Sequence, residues 1–434
     1  MAKIKNGLAL SGGGFRATIY HLGTLRKLKE LNLLDKIDVI SSNSGGSITA
    51  ACYSLYHKDF DNFSDMVKKG VKKEIALRIL ISPYFFIPIA LFIGAITARY
   101  WFPTAIPSYW FTLVTILSFL ILFRFQFHLI PISKIIEKRY DILFFRNKKL
   151  KDLSADFKTA IISTNIETGT LFYFSKHSMS DSAYSHPDSN AGFYPHKITF
   201  KASEFPVSKA VMASSCVPFA FSPVTVAKEY FTNPEEYKKI NPRLVDGGIY
   251  DNQGIHKLTF LKSSTYCHNV IVSDAGNFLP NKSWSFNSLF LLTRTSNIFM
   301  SRIKKFQMMA NVYTTNANSN VAYQSLGFGI DDSVEQFLKM LKNGFIKDEV
   351  INCHAISRQD IKDKNWDFIA ELLRQKINYD EIKSKGCNEE ELKIARKVKT
   401  GLSSLSDKKI NALIKHAETI TEIQVKLFLP HLLN

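Results

Sequence analysis

The chain has 434 residues, enough for two or three domains and a sizeable core. Its 46% hydrophobic and 22% charged content is that of a globular protein, which excludes a disordered or fibrous chain. The net charge of +18, from 56 Lys+Arg against 38 Asp+Glu, implies an anionic partner. The sequence carries no zinc-finger spacing, RNA-binding signature or basic-region heptad, so acidic lipid headgroups fit that charge better than nucleic acid.

The amino-terminal run Gly7-Leu8-Ala9-Leu10 is too short for the apolar region of a secretory signal, and the globular part is expected in the cytoplasm. It reads as a strand entering Ser11-Gly12-Gly13-Gly14-Phe15-Arg16-Ala17. Beyond that loop Tyr20, Leu22, Leu25, Leu28, Leu31 and Leu34 recur at helical spacing. Glycines before a helix leave backbone N–H groups uncovered at the positive end of its dipole, so the loop can hold an anion. Neither phosphate-loop nor dinucleotide spacing fits; an oxyanion hole does, given an apposed nucleophile.

A second strand, expected over Ile37 to Ser41, leads to Ser42-Asn43-Ser44-Gly45-Gly46 and a helix through Ile48, Ala51 and Leu55. This reads as a nucleophile elbow. The sharp turn projects the Ser44 hydroxyl and presses together the residues two before and two after it, which must be small. Ser42 and Gly46 are small, although the usual residue at the first place is glycine. The plainer alternative is a Ser/Gly-rich joining turn.

Two uncharged apolar runs follow, about residues 79–98 and 105–123, each close to the length that crosses a bilayer core of about 30 Å. Lys68, Lys69, Lys72, Lys73 and Arg78 precede them and Arg124, Lys134, Lys138 and Arg139 follow, while the link holds only Arg99. That asymmetry predicts a transmembrane hairpin with both outer ends cytoplasmic. Tyr100, Trp101, Tyr109 and Trp110 fall where an interfacial aromatic belt belongs. The alternative is a buried or interfacial hairpin, which Pro83, Pro88 and Gly94 make easier.

Soluble α/β patterning resumes at Phe157. Strands are expected at Thr159–Asn165 and Leu171–Phe174, a surface loop over residues 180–196, and a helix at Val207–Ser215. Leu244-Val245-Asp246-Gly247-Gly248 sets a carboxylate at a strand end before two glycines, open to close approach; an ordinary Asx turn is the alternative. Val270–Gly276 is expected as a further strand ending on the cleft side, and beyond about residue 285 the pattern is mostly helical. The five cysteines are widely separated with no C-x-x-C pair, so no zinc or redox site is expected, and nothing in the sequence calls for a metal or cofactor.

Gly12-Gly13-Gly14-x-Arg16, Ser42-x-Ser44-x-Gly46 and Asp246-Gly247-Gly248, in this order, resemble the patatin-like phospholipase family. Ala213-Ser214-Ser215-Cys216-Val217-Pro218-Phe219 is similar to its segment before the aspartate strand. The likeness covers about residues 5–70 and 132–280. It implies a three-layer α/β/α hydrolase core over residues 1–70 and 132–285, interrupted by the hairpin at 71–131 and followed by a helical region at 286–434. It also implies a lipid acyl hydrolase with a Ser-Asp dyad. Ser44 is then the nucleophile and Asp246 its base, with Gly12, Gly13 and Gly14 as the oxyanion hole and Arg16 fixing the glycine loop or meeting lipid phosphate. Ala17 stands where the family commonly has glycine. A Ser-Asp-His triad through His256 and bases at Asp251 or Asp274 are weaker options. Membrane phospholipids, anionic by the charge balance, are the expected partners. An acyltransferase or thioesterase using the same dyad, or an inactive membrane scaffold, are the competing functions.

Overall fold

The computed structural model describes residues 4–102, 107–185, 196–218, 220–276 and 287–433. Its centre is a mixed nine-stranded sheet. The strands are β1 (Asn6–Leu10), β2 (Val39–Asn43), β3 (Lys158–Asn165), β4 (Thr170–Phe174), β5 (Met179–Ser180), β6 (Val224–Thr225), β7 (Arg243–Asp246), β8 (Asn269–Asp274) and β9 (Asn320–Ser325). Their order is β5-β4-β3-β2-β1-β8-β9, with β7 on β3 and β6 on β7. The run from β3 through β2, β1 and β8 to β9 is parallel, in the register Leu8↔Ile40 and Leu8↔Ile271. All five residues of β2 and all six of β8 are buried, as strands covered on both faces must be.

Eight helices carry the argument below: α1 (Gly14–Glu30), α2 (Gly45–Tyr56), α3 (Pro83–Trp101), α4 (Ser108–Leu129), α5 (Val207–Ser214), α6 (Gly248–Asp251), α7 (Ser288–Asn311) and α8 (Asp407–Phe428). The glycine loop joins β1 to α1, and the Ser44 turn joins β2 to α2, as the sequence pattern predicts. Strand β2 begins two residues later than expected and runs through Asn43, so the sheet continues up to Ser44 itself.

The region beyond residue 285 is mostly helical, but it is not a separate appendage. Strand β9 extends the parallel sheet and α8 packs along α1. A buried polar chain fastens the two. The His21 ring bonds the Ser273 hydroxyl (2.8 Å) and the Ser11 carbonyl (2.9 Å). Thr24 meets Ser273, Gln324 donates to Thr24, and Thr421 on α8 donates to Gln324. Single polar residues within apolar runs gave no hint of this from sequence.

The apolar runs form α3 and α4, shifted from the expected spans: Pro83 takes the first turn of α3, where its missing N–H costs nothing, and α4 continues to Leu129. Residues 103–106, part of the expected link and second run, lie outside the described residues, as do 186–195 of the expected surface loop. The helices touch through Phe92 and Phe119 (centroids 6.4 Å apart) and through the Thr115 hydroxyl, which donates to the Ala95 carbonyl at 3.4 Å. Many of their large side chains face outward, including Phe86, Leu91, Leu117 and Phe123. Among the described residues one helical segment, Tyr109–Phe145, contains a stretch long and apolar enough to cross a membrane; Pro83–Ala98 is a shorter apolar helix. The helix Ile132–Tyr140 returns the chain to the core and packs against α5.

Candidate active site

Ser44 and Asp246 meet because β2 and β7 share one edge of β3. Asn43, the last residue of β2, pairs with Ile162, and Asp246, the last residue of the antiparallel β7, pairs with the next residue, Ser163. Two strands arriving from opposite directions therefore end face to face, with Ser44 at the tip of one and Asp246 at the tip of the other.

Ser44 has φ 49° and ψ −120°, a conformation an L-residue holds only under constraint, at a cost of order 1–3 kcal/mol. The constraints are visible. The Ser44 N–H donates to the Ser214 hydroxyl at 2.9 Å. Gly45 lies so close to the glycine loop that a Cβ there would stand 2.0 Å from the Gly14 carbonyl oxygen, and one on Gly46 would stand 2.5 Å from that of Leu10. Ser42, the departure from the usual glycine, is accommodated: its hydroxyl accepts from Ser47 at 3.2 Å and donates to the Ala160 carbonyl at 3.5 Å.

The Asp246 backbone is fixed by its N–H to the Cys216 carbonyl (2.8 Å) and by the Thr164 hydroxyl on its own carbonyl (3.0 Å). Its side chain accepts from the Gly248 N–H at 2.7 Å and from the Asn43 amide at 3.4 Å. Burial pushes the Asp246 carboxyl up to about 6, while the Gly248 N–H, the Ser44 hydroxyl and the Asn43 amide act on the anion in the opposite sense. The result is a carboxylate still ionised at neutral pH yet more basic than an exposed one.

The glycine loop differs in detail from expectation. The Gly12 N–H donates to the Asn252 carbonyl at 3.0 Å and so is already engaged; among the described residues no acceptor is found for those of Gly13 and Gly14. Positive φ at Gly13 (147°) and Gly14 (59°) is what aims these groups. Arg16 is buried and its guanidinium donates to the Val398 carbonyl at 3.3 Å, so it faces inward to fix the loop rather than outward to a lipid phosphate. Next to it the Phe15 N–H donates to the Gly401 carbonyl at 2.9 Å. The segment at 398–401 is thus a strap across the loop.

The weaker candidates have other partners. The Asp251 carboxylate accepts the N–H groups of Gln253, Gly254 and His256. The His256 ring stacks on Phe260, 5.5 Å away, and meets the edge of Tyr250. Asp274 is paired with Lys304 at 2.5 Å and accepts from the Tyr323 hydroxyl. Each is committed to holding its own loop or strand.

A profile of the patatin-like phospholipase family matches residues 8–259, more than half of the chain, with the strained serine and the buried aspartate both inside it. The chain belongs to the patatin-like phospholipase family. No curated protein matches its sequence. Among solved structures it is similar to human GIVD cytosolic phospholipase A2 at 12% identity and TM-score 0.37, over 69% of this chain and 48% of that one. The same enzyme with methyl gamma-linolenyl fluorophosphonate and terbium chloride matches at 15% identity and TM-score 0.26, over 41% of this chain and 24% of that one. VipD from Legionella pneumophila matches at 12% identity and TM-score 0.32, over 91% of this chain and 82% of that one. The chain therefore spans from a quarter to a half of the human enzyme's length.

Within the patatin-like site, Asn43, Ser214 and Asn252 were not singled out from sequence. Asn43 carried one available signal, its place immediately before the nucleophile in the elbow. Its amide bridges Asp246 and Asn252 (3.4 and 3.3 Å), while its carbonyl oxygen accepts from Ser214 at 3.4 Å.

Proposed function

We propose that this patatin-like phospholipase is a membrane-anchored serine acyl hydrolase acting on bilayer phospholipids through a Ser44–Asp246 dyad. The observation that carries the reading is the abutment of a strained serine and a buried, basic carboxylate on one edge of β3. In the proposed reaction the Ser44 oxygen attacks the ester carbonyl carbon as Asp246 takes its proton. The Gly13 and Gly14 N–H groups hold the developing oxyanion, each donor contributing roughly 2.7–4 kcal/mol. The carbon–oxygen bond to the alcohol then breaks and the proton returns from Asp246 to the leaving oxygen; water attacks the acyl-serine with Asp246 again as base, the bond to the Ser44 oxygen breaks, and that oxygen takes the proton back as the fatty acid leaves. Gly12 and Arg16 support the loop rather than donate to the oxyanion.

The proposed domain plan is a core at 1–70 and 132–285, a membrane hairpin at 71–131 and the helical region at 286–434, whose strand β9 and helix α8 brace the core. The outward apolar side chains of α3 and α4 support anchoring, and the Lys and Arg residues flanking them support a cytoplasmic core. The return helix Ile132–Tyr140 packs on α5, which ends at Ser214, so the anchor is rooted beside the nucleophile. The charge of +18 favours anionic lipid.

The test is fatty-acid release from mixed phospholipid vesicles by detergent-purified protein beside Ser44→Ala and Asp246→Asn. Loss in both, with unchanged circular dichroism, supports the dyad; activity surviving Asp246→Asn removes Asp246 as the base.

A further inference from the structure

Helix α7 sends polar side chains into the fold and large apolar ones outward. Its polar residues Lys304 and Gln307 turn inward, Lys304 to the Asp274 carboxylate and Gln307 to that of Asp251. Met308 is buried with them, while seven large apolar residues, Phe290, Leu291, Leu292, Ile298, Phe299, Phe306 and Met309, turn outward, between 46% and 60% exposed. At 100° per residue Leu291, Ile298, Phe299, Phe306 and Met309 fall within one sector of the helix, about a quarter of its circumference, with Phe290 and Leu292 of the first turn on either side of it. A surface helix of a water-soluble fold shows the reverse arrangement, and a contiguous exposed apolar stripe of this length marks an interaction face.

We infer that α7 is an interfacial helix that lays this stripe on an anionic bilayer surface beside the catalytic cleft. Two observations select a lipid surface as the occupant. Arg302 and Lys305 are exposed within or at the border of the stripe, with the Arg302 guanidinium 5.3 Å from the Phe306 ring centroid. Basic side chains interleaved with Phe and Leu suit a headgroup layer over acyl chains. In a two-fold pairing with a second copy the same cations would face each other across a desolvated seam. The helix also packs against α6, which starts two residues after Asp246. A bilayer touching the stripe is therefore within reach of the site.

The inference rests on the lipid-hydrolase reading for its consequence but not for its test. Full-length protein carrying Phe299→Cys, with Cys353→Ser and Cys387→Ser to remove the two partly exposed native thiols, is labelled with an environment-sensitive fluorophore. It is then mixed with phosphatidylglycerol/phosphatidylcholine vesicles containing brominated acyl chains. A blue shift with quenching by the bromines is expected, whether or not ester is cleaved. Arg302→Gln with Lys305→Gln should lower the vesicle affinity of this contact by about fivefold per residue. Phe299→Ser with Phe306→Ser should lower vesicle hydrolysis roughly tenfold or more while leaving hydrolysis of a water-soluble short-chain ester within about twofold. A fluorophore that stays in water with vesicles present overturns the inference. So does a blue shift that appears without vesicles as protein concentration rises, which would assign the face to a second copy. Loss of both ester activities in Ser44→Ala with the blue shift retained leaves the inference standing on its own.

Discussion

The Asn43 amide donates to the Asp246 carboxylate at 3.4 Å from the residue just before Ser44, so the last link of β2 touches both halves of the proposed dyad. That contact stabilises the anion and lowers the pKa of the base. With the carboxyl at about 6, kcat/KM is expected to fall tenfold per pH unit below that value and to level off above it. Asn43→Ala removes one of the groups opposing burial, so the limb of the profile should move to higher pH. A profile that does not move would mean that the Gly248 N–H and Ser44 alone set the base.

The same burial predicts that the site costs stability. Asp246 titrates higher folded than unfolded, so between pH 3.8 and about 6 the native state binds more protons and stability falls as pH rises through that window. The penalty is complete above pH 6 and is on the order of 3 kcal/mol. Asp246→Asn keeps an acceptor for the Gly248 N–H while removing the charge. It should melt higher than the parent at pH 8, with the gap closing toward pH 4; equal melting temperatures at both values would contradict this.

Much of the arrangement was legible in residue order. The loop at Gly12–Gly14, the elbow at Ser44 and the strand ending at Asp246 each occupy the local element that their neighbours predict, because small residues at fixed spacing have few conformations to choose from. What was not legible depends on contacts distant in sequence. That Gly12 is occupied depends on Asn252, and the inward turn of Arg16 depends on Val398, 382 positions away. Strand β9 was missed because Asn320-Val321-Ala322-Tyr323-Gln324-Ser325 has too few apolar residues to stand out, the polar side chains of Asn320, Gln324 and Ser325 bonding Asn269, Thr24 and Gly276. The outward face of α7 has an ordinary amphipathic pattern; only the packing shows which side is in.

Close approach of the glycine loop to the elbow gives a steric prediction. A methyl at Gly45 would stand 2.0 Å from the Gly14 carbonyl oxygen, and one at Gly14 would stand 2.3 Å from that of Gly401, where φ is already +59°. In each case the obstacle is backbone, which cannot rotate away. Gly45→Ala and Gly14→Ala should lose hydrolysis and melt several degrees lower, whereas Gly94→Ala, with nothing within 4 Å of its Cβ, should change neither. Activity retained in Gly45→Ala would show that the two loops can separate without harm.

The buried Asp274 offers a test in which pH reports the pairing. Burial alone would raise this carboxyl, but Lys304 and the Tyr323 hydroxyl override it and hold it at about 2. Its folded value lies below the unfolded 3.8, so it contributes stability above pH 3.8 that is lost as pH falls through about 2. Lys304→Met keeps the length of the side chain and removes the cation, leaving burial dominant, so the folded carboxyl then holds its proton more tightly than the unfolded one. The sign reverses: above pH 3.8 the variant should lose stability as pH rises until Asp274 ionises. Removing one partner of a buried pair costs about 3–5 kcal/mol. The deficit in urea unfolding should therefore be near that size at pH 7 and clearly smaller at pH 4. Tyr323→Phe, which leaves the cation in place, should cost about 1–3 kcal/mol with the parent's direction of pH dependence. A deficit in Lys304→Met that is the same at pH 4 and pH 7 would show that Lys304 serves α7 through packing and not through its charge.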